Sequence, residues 1–234
     1  MCTYCLVILD VNSLKKQKMV TNFSEQDSLV SEWMRELRDI ATQGNREQFR
    51  NNIHKIGQVA AYHISLQLHY TDTLIHTPLA STQCRTLATQ PVIATIMRAG
   101  LPLYNGILSY FNKADSAFIG AYRQHINETD FEIAQGYIAC PVLRDRPLIL
   151  ADPMLATGAS MIQTIDSLLA FGQPSHIHIV AIIASQAGID TVQQHVPDAH
   201  IWVGAIDNEL DANKYIVPGL GDAGDLCFGE KLQH

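Results

Sequence analysis

The chain predicts an α/β fold: a mostly parallel five-stranded sheet with flanking helices, an N-terminal helical pair and a β-hairpin. Two observations predict the sheet. Five apolar runs of strand length occur at 92–97, 117–121, 148–151, 177–184 and 201–206, and helical periodicity falls between several of them, as at 103–111 and 189–195. Continuous apolar strands alternating with helices call for a parallel sheet covered on both faces. A third observation sets the scale. With 234 residues, 47% hydrophobic and 17% charged, the chain can close one sizeable core.

From the N-terminus, the apolar stretch at 5–9 is too short to cross a bilayer, and Asp10 ends it. No positive residue precedes it and no small-residue cleavage site follows, so no secretory signal is expected. Residues 1–18 therefore read as a loose tail, or as an extension ahead of a start at Met19, leaving 19–234 as a single domain. Leu29, Val30, Trp33, Met34, Leu37 and Ile40 give residues 25–41 one apolar helical face. Gly44-Asn45 breaks that helix. A second, at 46–70, runs through Phe49, Ile53, Ile56, Val59, Ala60, Ile64 and Leu68. Residues 71–90 are polar and include Pro78, and are expected to form an irregular connection. Between 130 and 142, Phe131, Ile133, Tyr137 and Ile138 flank Gln135-Gly136, the pattern of a hairpin with a tight turn there.

The richest segment is 147–171. A buried strand ends at Ala151, one acid follows (Asp152), and Pro153-Met154-Leu155-Ala156 leads to Thr157-Gly158-Ala159-Ser160 at the head of an amphipathic helix. Unpaired N–H groups and the positive end of the helix dipole converge at that head, which suits a phosphate. Asp152, an acceptor-only group, is placed to hold hydroxyls beside it. Phosphate on one side and a diol-binding acid on the other spell a ribose phosphate. An ordinary crossover with a Ser cap is the plainer alternative.

Composition bounds the partners. The formal net charge is −7 and the cations are spread thinly apart from Lys15, Lys16 and Lys18, so no nucleic-acid partner is expected. No membrane partner is expected either. The cysteines number five, an odd count; Cys2-x-x-Cys5 has no second pair, which favours a reducing cytoplasm over a disulfide framework. The ten histidines show no clustered spacing, and none is assigned a role.

Three loops carry a resemblance. The 152–160 segment resembles the ribosyl-phosphate loop of type I phosphoribosyltransferases. Ile96-Met97-Arg98-Ala99-Gly100-Leu101 is similar to a diphosphate-binding loop, and Tyr215-Ile216-Val217-Pro218-Gly219-Leu220-Gly221-Asp222-Ala223-Gly224-Asp225 to the base loop of the uracil-specific branch. Gly120-Ala121-Tyr122-Arg123 fits a fourth element. The match is convincing from about residue 91 onward.

The resemblance implies transfer of a phosphoribosyl group from 5-phospho-α-D-ribose 1-diphosphate (PRPP) to uracil, giving UMP and diphosphate in pyrimidine salvage. It implies catalytic roles for Arg98, Arg123, Asp152 and Asp222. PRPP would be held by these four with Pro153, Met154, Leu155, Ala156, Thr157, Gly158, Ala159 and Ser160. Uracil would be read by Ile216, Gly221, Asp222 and Ala223. Mg²⁺ would be carried mainly by PRPP and water, with no direct protein ligand, because only one acid precedes the Thr-Gly loop. The resemblance further implies that the hairpin is a protruding arm and the protein a homodimer or higher homo-oligomer; it leaves GTP activation open. A PRPP- or nucleotide-binding regulator of the same fold acting on RNA is the alternative. The chain departs from the family pattern in three places: Ala159 in place of a second Gly, Pro102 after Gly100-Leu101, and the pair Gln124-His125 after Arg123.

Overall fold

The computed structural model describes residues 19–125 and 131–230, with side chains given outside 121–135. The expected tail at 1–18 lies outside the described residues.

The described chain opens with β1 (Val20–Asn22) and a 3₁₀ turn at Phe23–Glu25, then α1 (Leu29–Arg38) and α2 (Arg46–Ser65). α1 starts at Leu29 rather than at 25 because Ser28 caps it. The Ser28 hydroxyl accepts from the Val30 N–H, and the Ser31 hydroxyl accepts from the Ser28 N–H. Asn45 caps α2 in the same manner by accepting from the Gln48 N–H. Val30, Met34 and Leu37 are buried as the periodicity predicts, while Leu29 and Ile40 remain exposed, Ile40 lying beyond the helix end.

Residues 71–90 are not irregular. They form β2 (Tyr70–His76) and β3 (Ser81–Leu87), an antiparallel hairpin that is a sheet of its own. Its turn is built by Thr77, whose hydroxyl accepts from the Leu79 and Ala80 N–H groups. The Thr73 and Thr86 hydroxyls hydrogen-bond on a diagonal across the strands, Thr73 standing opposite Cys84 and Thr86 opposite Thr71. Both faces are largely exposed. No buried apolar face means no apolar period, which is why the sequence pattern misses this hairpin.

Next come β4 (Val92–Met97), α3 (Leu101–Leu108), β5 (Asp115–His125), β6 (Phe131–Ala139), β7 (Pro147–Ala151) and β8 (Met154–Leu155). α4 (Ala159–Leu169), β9 (His176–Ser185), α5 (Gln186–His195) and β10 (His200–Asp207) follow. A short pair, β11 (Glu209–Leu210) and β12 (Ile216–Val217), and α6 (Ala223–Phe228) complete the described chain.

The main sheet has eight strands in the order β1-β10-β9-β7-β4-β5-β6, with β8 paired to β9. All five predicted strands are in it, joined by parallel ladders, and β1, β6 and β8 are additions. β6 is antiparallel to β5. The predicted tight turn at Gln135-Gly136 is therefore incorrect. Gln135 pairs with Ala121 and Tyr137 with Gly120, so Gly136 sits at a register shift inside β6, and the hairpin partner is β5. Past the last β4 rung at Met97–Gly120, β5 and β6 stay paired to each other as far as His125 and Phe131.

Strand alternation divides the core in two. Ile93, Ile149, Val180 and Ile182 face α1, α2 and α3, where Leu37, Phe49, Ile53, Ile56, Leu103 and Ile107 meet them. Val92, Ala94, Leu148, Leu150, Ile179 and Ala181 face Met161, Ile165 and Leu168 of α4 and Ile189 and Val192 of α5. Each fully buried Ile or Leu contributes roughly 1.5–3 kcal/mol, so both faces are strongly held.

The histidines do cluster, contrary to their spacing in sequence. The first rung of the β9–β10 ladder puts His178 opposite His200. His176 stacks edge-on to His178 with ring centroids 4.6 Å apart, and Trp202 donates to His178 Nδ1 at 3.3 Å. Burial, and then the neighbouring imidazoles, push the His178 value down to about 3. His200 is pushed to about 4 for the same reasons.

Candidate active site

β4 and β7 are neighbours, but the chain leaves β4 toward β5 and later returns to lay β7 on the other side. Such a switch opens a crevice beyond the strands' carboxyl ends. A cavity of about 400 Å³ occupies this edge. Asp152, Pro153, Met154, Leu155, Ala156, Thr157, Gly158, Ala159 and Ser160 line it after β7, Ala99 after β4, and Lys214, Tyr215, Asp222, Ala223 and Gly224 after β10. Three loops far apart in sequence thus share one hollow.

The β7 loop is strapped to its neighbours. Asp152 N–H donates to the Val180 carbonyl, the Ile182 and Ile183 N–H groups donate to the Pro153 carbonyl, and Ser185 Oγ donates to the Ala156 carbonyl. Gly158 then turns the chain with φ 83°, and α4 begins at Ala159. Gly158 has no side chain to cap the helix, so the first-turn N–H groups face the cavity with only a long 3.4 Å contact from Ala159 N–H to Thr157 Oγ1. Ala159 is an exposed first helical residue outside the positive-φ set, so its methyl group imposes no backbone strain there. Pro102 likewise sits in the first turn of α3, where its missing N–H costs nothing.

Asp152 lies at the base of the hollow. Desolvation pushes its carboxyl up to about 7, against the opposing pull of the Met154 N–H. Asp222 serves as the N-cap of α6, its Oδ1 accepting from Gly224 N–H at 2.8 Å and Asp225 N–H at 3.1 Å. Ile216 and Ala223 are buried, and Gly221 adopts φ +90°.

Arg98 follows a cis peptide from Met97 and points toward α6, with Nη2 3.4 Å from Asp225 Oδ1 and 3.2 Å from the Gly229 carbonyl. It is not among the residues lining the hollow, and neither are Ile216 and Gly221. Gly100 is packed rather than free to approach a ligand, since a Cβ there would strike Thr95 and the Ile96 and Ala151 carbonyls. Arg123 is in β5, but its side chain lies outside the described set, as do those of Gln124 and His125. Sequence reasoning assigned no role to Lys214 or Tyr215, which line the hollow. Tyr215 opens the base-loop motif, and that was the signal available.

The family model described as uracil phosphoribosyltransferase matches residues 24–230. The chain belongs to the uracil phosphoribosyltransferase family. A uracil phosphoribosyltransferase of Porphyromonas gingivalis is 45% identical over 214 residues, covering 91% of this chain and 99% of that one. Another, from Thermococcus gammatolerans, is 34% identical over 215 residues, covering 90% and 94%. Among solved structures, a protein of Aquifex aeolicus superposes with a TM-score of 0.81 at 25% identity over 92% of this chain and all of that one, 100%. The phosphoribosyltransferase fold expected from the three loops is thus present along nearly the whole chain, including the helical pair where the sequence resemblance was faint.

Proposed function

We propose that the hollow joins uracil to PRPP, giving UMP and diphosphate. One observation carries this reading: the β7 loop, suited to a ribose phosphate, and the β10 loop, suited to a base, line the same 400 Å³ cavity. In this reading the first-turn N–H groups of α4, with Thr157 and Ser160, hold the 5′-phosphate. Ionised Asp152 accepts from the ribose hydroxyls and eases positive charge on the anomeric carbon as the C–O bond to diphosphate breaks. Arg98 and Arg123 take up the negative charge growing on the leaving group, Arg98 turning from Asp225 to do so.

Uracil is read by backbone groups of Ala223, which lines the hollow, and of Ile216 and Gly221, which belong to the same loop but not to the lining. Its ring nitrogen forms the new bond as its proton passes to solvent. Asp152 and Asp222 supply hard oxygen donors, which fits Mg²⁺ held chiefly by PRPP oxygens and water. Bound there, the ion would neutralise diphosphate charge. Asp222 serves the ribose side through the oxygen not used in capping.

A homodimer or larger homo-oligomer is part of the proposal. The β2–β3 hairpin stands apart from the main sheet with Leu74 56% and Leu79 97% exposed, and an isolated two-stranded sheet is marginal without cover. A cytoplasmic setting is supported by the free thiols of the three described cysteines, Cys84, Cys140 and Cys227; burial pushes Cys140 up to about 11 and Cys227 up to about 12. Among the described residues no helix is long and apolar enough to cross a membrane.

The test is purified protein with PRPP and Mg²⁺, offered uracil, cytosine, orotate and xanthine separately. Diphosphate release with uracil alone is expected. Release with another base and not uracil would overturn the assignment of the β10 loop.

A further inference from the structure

The loop that would read uracil is held by an ion pair outside the cavity. Arg38 ends α1 and Asp207 ends β10, 169 residues apart in sequence. They meet as a two-pronged fork, with Arg38 Nη1 2.9 Å from Asp207 Oδ2 and Nη2 3.0 Å from Oδ1. Asp207 is nearly buried, its side chain only 8% exposed. Both groups also grip one residue of the loop. Gly219 N–H donates to Asp207 Oδ2 at 2.9 Å, and Arg38 Nη1 donates to the Gly219 carbonyl at 3.3 Å.

Gly219 is a demanding position. Its φ is +63°, and a Cβ there would collide with the carbonyl of Ile216, so the backbone doubles back against the start of the loop. Ile216 and Gly221 flank it three residues before and two after. A charged pair that engages both the N–H and the carbonyl of Gly219 therefore sets where the flanking backbone groups point. Side-chain specificity tolerates small backbone shifts, whereas backbone recognition of a base edge does not, because the donors and acceptors are the loop itself.

We propose that Arg38 and Asp207 are positioning residues for base recognition: their fork, locked onto Gly219, holds the 216–223 loop in register with the edge of uracil. This rests on the reading of that loop as the base site. PRPP is bound chiefly by other segments, Asp222 being the one residue of this loop assigned to its side, so the pair acts mainly on uracil. Breaking one side of a buried pair also leaves an unmatched charge, which alone could loosen the fold. The double change Arg38→Met with Asp207→Asn avoids that orphan charge while removing the fork.

The experiment measures kcat, KM for uracil and KM for PRPP in Arg38→Lys, Arg38→Met and the double variant, with melting temperature recorded for each. Gly219→Ala, which forces the loop to move, is measured alongside. The expected result is a rise in KM for uracil of about tenfold in Arg38→Met and the double variant, the size of one or two misaligned hydrogen bonds. KM for PRPP should stay within about twofold. Arg38→Lys, which keeps the charge and loses the fork, should fall between. If Gly219→Ala raises the uracil KM and the folded double variant does not, the positioning role is wrong while the base site stands. If the double variant raises both KM values alike, the pair is merely structural. If no variant, Gly219→Ala included, moves the uracil KM selectively, the base-loop reading fails and the proposal with it.

Discussion

Arg98 and Asp225 face each other across the gap between the β4 loop and α6, Nη2 to Oδ1, at 3.4 Å. The distance is long and both side chains are partly exposed, 42% and 33%, so the pair adds little to stability. It parks a guanidinium outside the lining of the hollow, on the residue next to Ala99, from where a diphosphate could draw it in. Arg98→Ala should cut turnover on the order of a hundredfold, since one fixed donor to a developing anion is worth ~3 kcal/mol. Its melting temperature should hardly change. Steady-state rates and a thermal melt on the same preparation check both halves, and near-normal turnover would remove Arg98 from the reaction.

Asp152 makes a prediction with a sign. Its carboxyl rises from an ordinary 3.8 to about 7 in the folded chain. Between those values the folded protein holds a proton that the unfolded chain has released, so Asp152's contribution to stability is lost as pH rises through that window. Asp152→Asn should melt higher than the parent at pH 8, and the gap should close below about pH 4, where both forms are neutral. PRPP affinity of the parent should weaken as pH falls below about 7, because the hydroxyl-accepting carboxylate is lost. The Asn variant should bind PRPP poorly at every pH. A variant that binds PRPP normally would place Asp152 outside the ribose site.

The His178 cluster works in the opposite direction. A base whose folded value is depressed stays neutral in the fold, while the unfolded chain takes up a proton below about 6.5. Stability from His178 and His200 is complete above that pH and declines as pH falls toward their values of about 3 and about 4. His178→Gln, which keeps a side chain able to accept from Trp202, should flatten the loss of melting temperature between pH 6.5 and pH 4. An unchanged acid limb would show that these rings are not what senses acid.

Ala159→Gly tests the departure at the phosphate loop. As an exposed first helical residue, Ala159 should give way to Gly with no change in KM for PRPP, at a cost of about 0.5–1 kcal/mol in stability. A marked gain in PRPP affinity would mean that the methyl group crowds the phosphate.

Legibility followed burial. The five central strands showed as apolar runs because both their faces are covered, and the loop after β7 was readable as a candidate phosphate site because a strand, an acid, a Gly and a helix start succeed one another in the chain. β2 and β3 bury little and left no period. The turn placed at Gln135-Gly136 was wrong because a glycine at a register shift inside a strand looks like a turn in one dimension. The His178–His200 pairing and the Arg38–Asp207 fork depend on which strands and helices become neighbours, and nothing local to either residue announces its partner. Lys214, in contrast, adjoined a recognised motif, and its place at the hollow was a matter of looking one residue further.

The order of strands has a bearing on how new substrates arise in such a scaffold. The ribose-phosphate loop hangs from β7 and the base loop from β10, with β9 between them. The two share a hollow but no ladder rung, so mutations in the segment after β10 that spare Asp222 leave the proposed sugar-handling half untouched. A lineage could exchange one nucleobase for another by drift within a dozen or so residues near its C-terminal end, inheriting the demanding chemistry at the anomeric carbon unaltered.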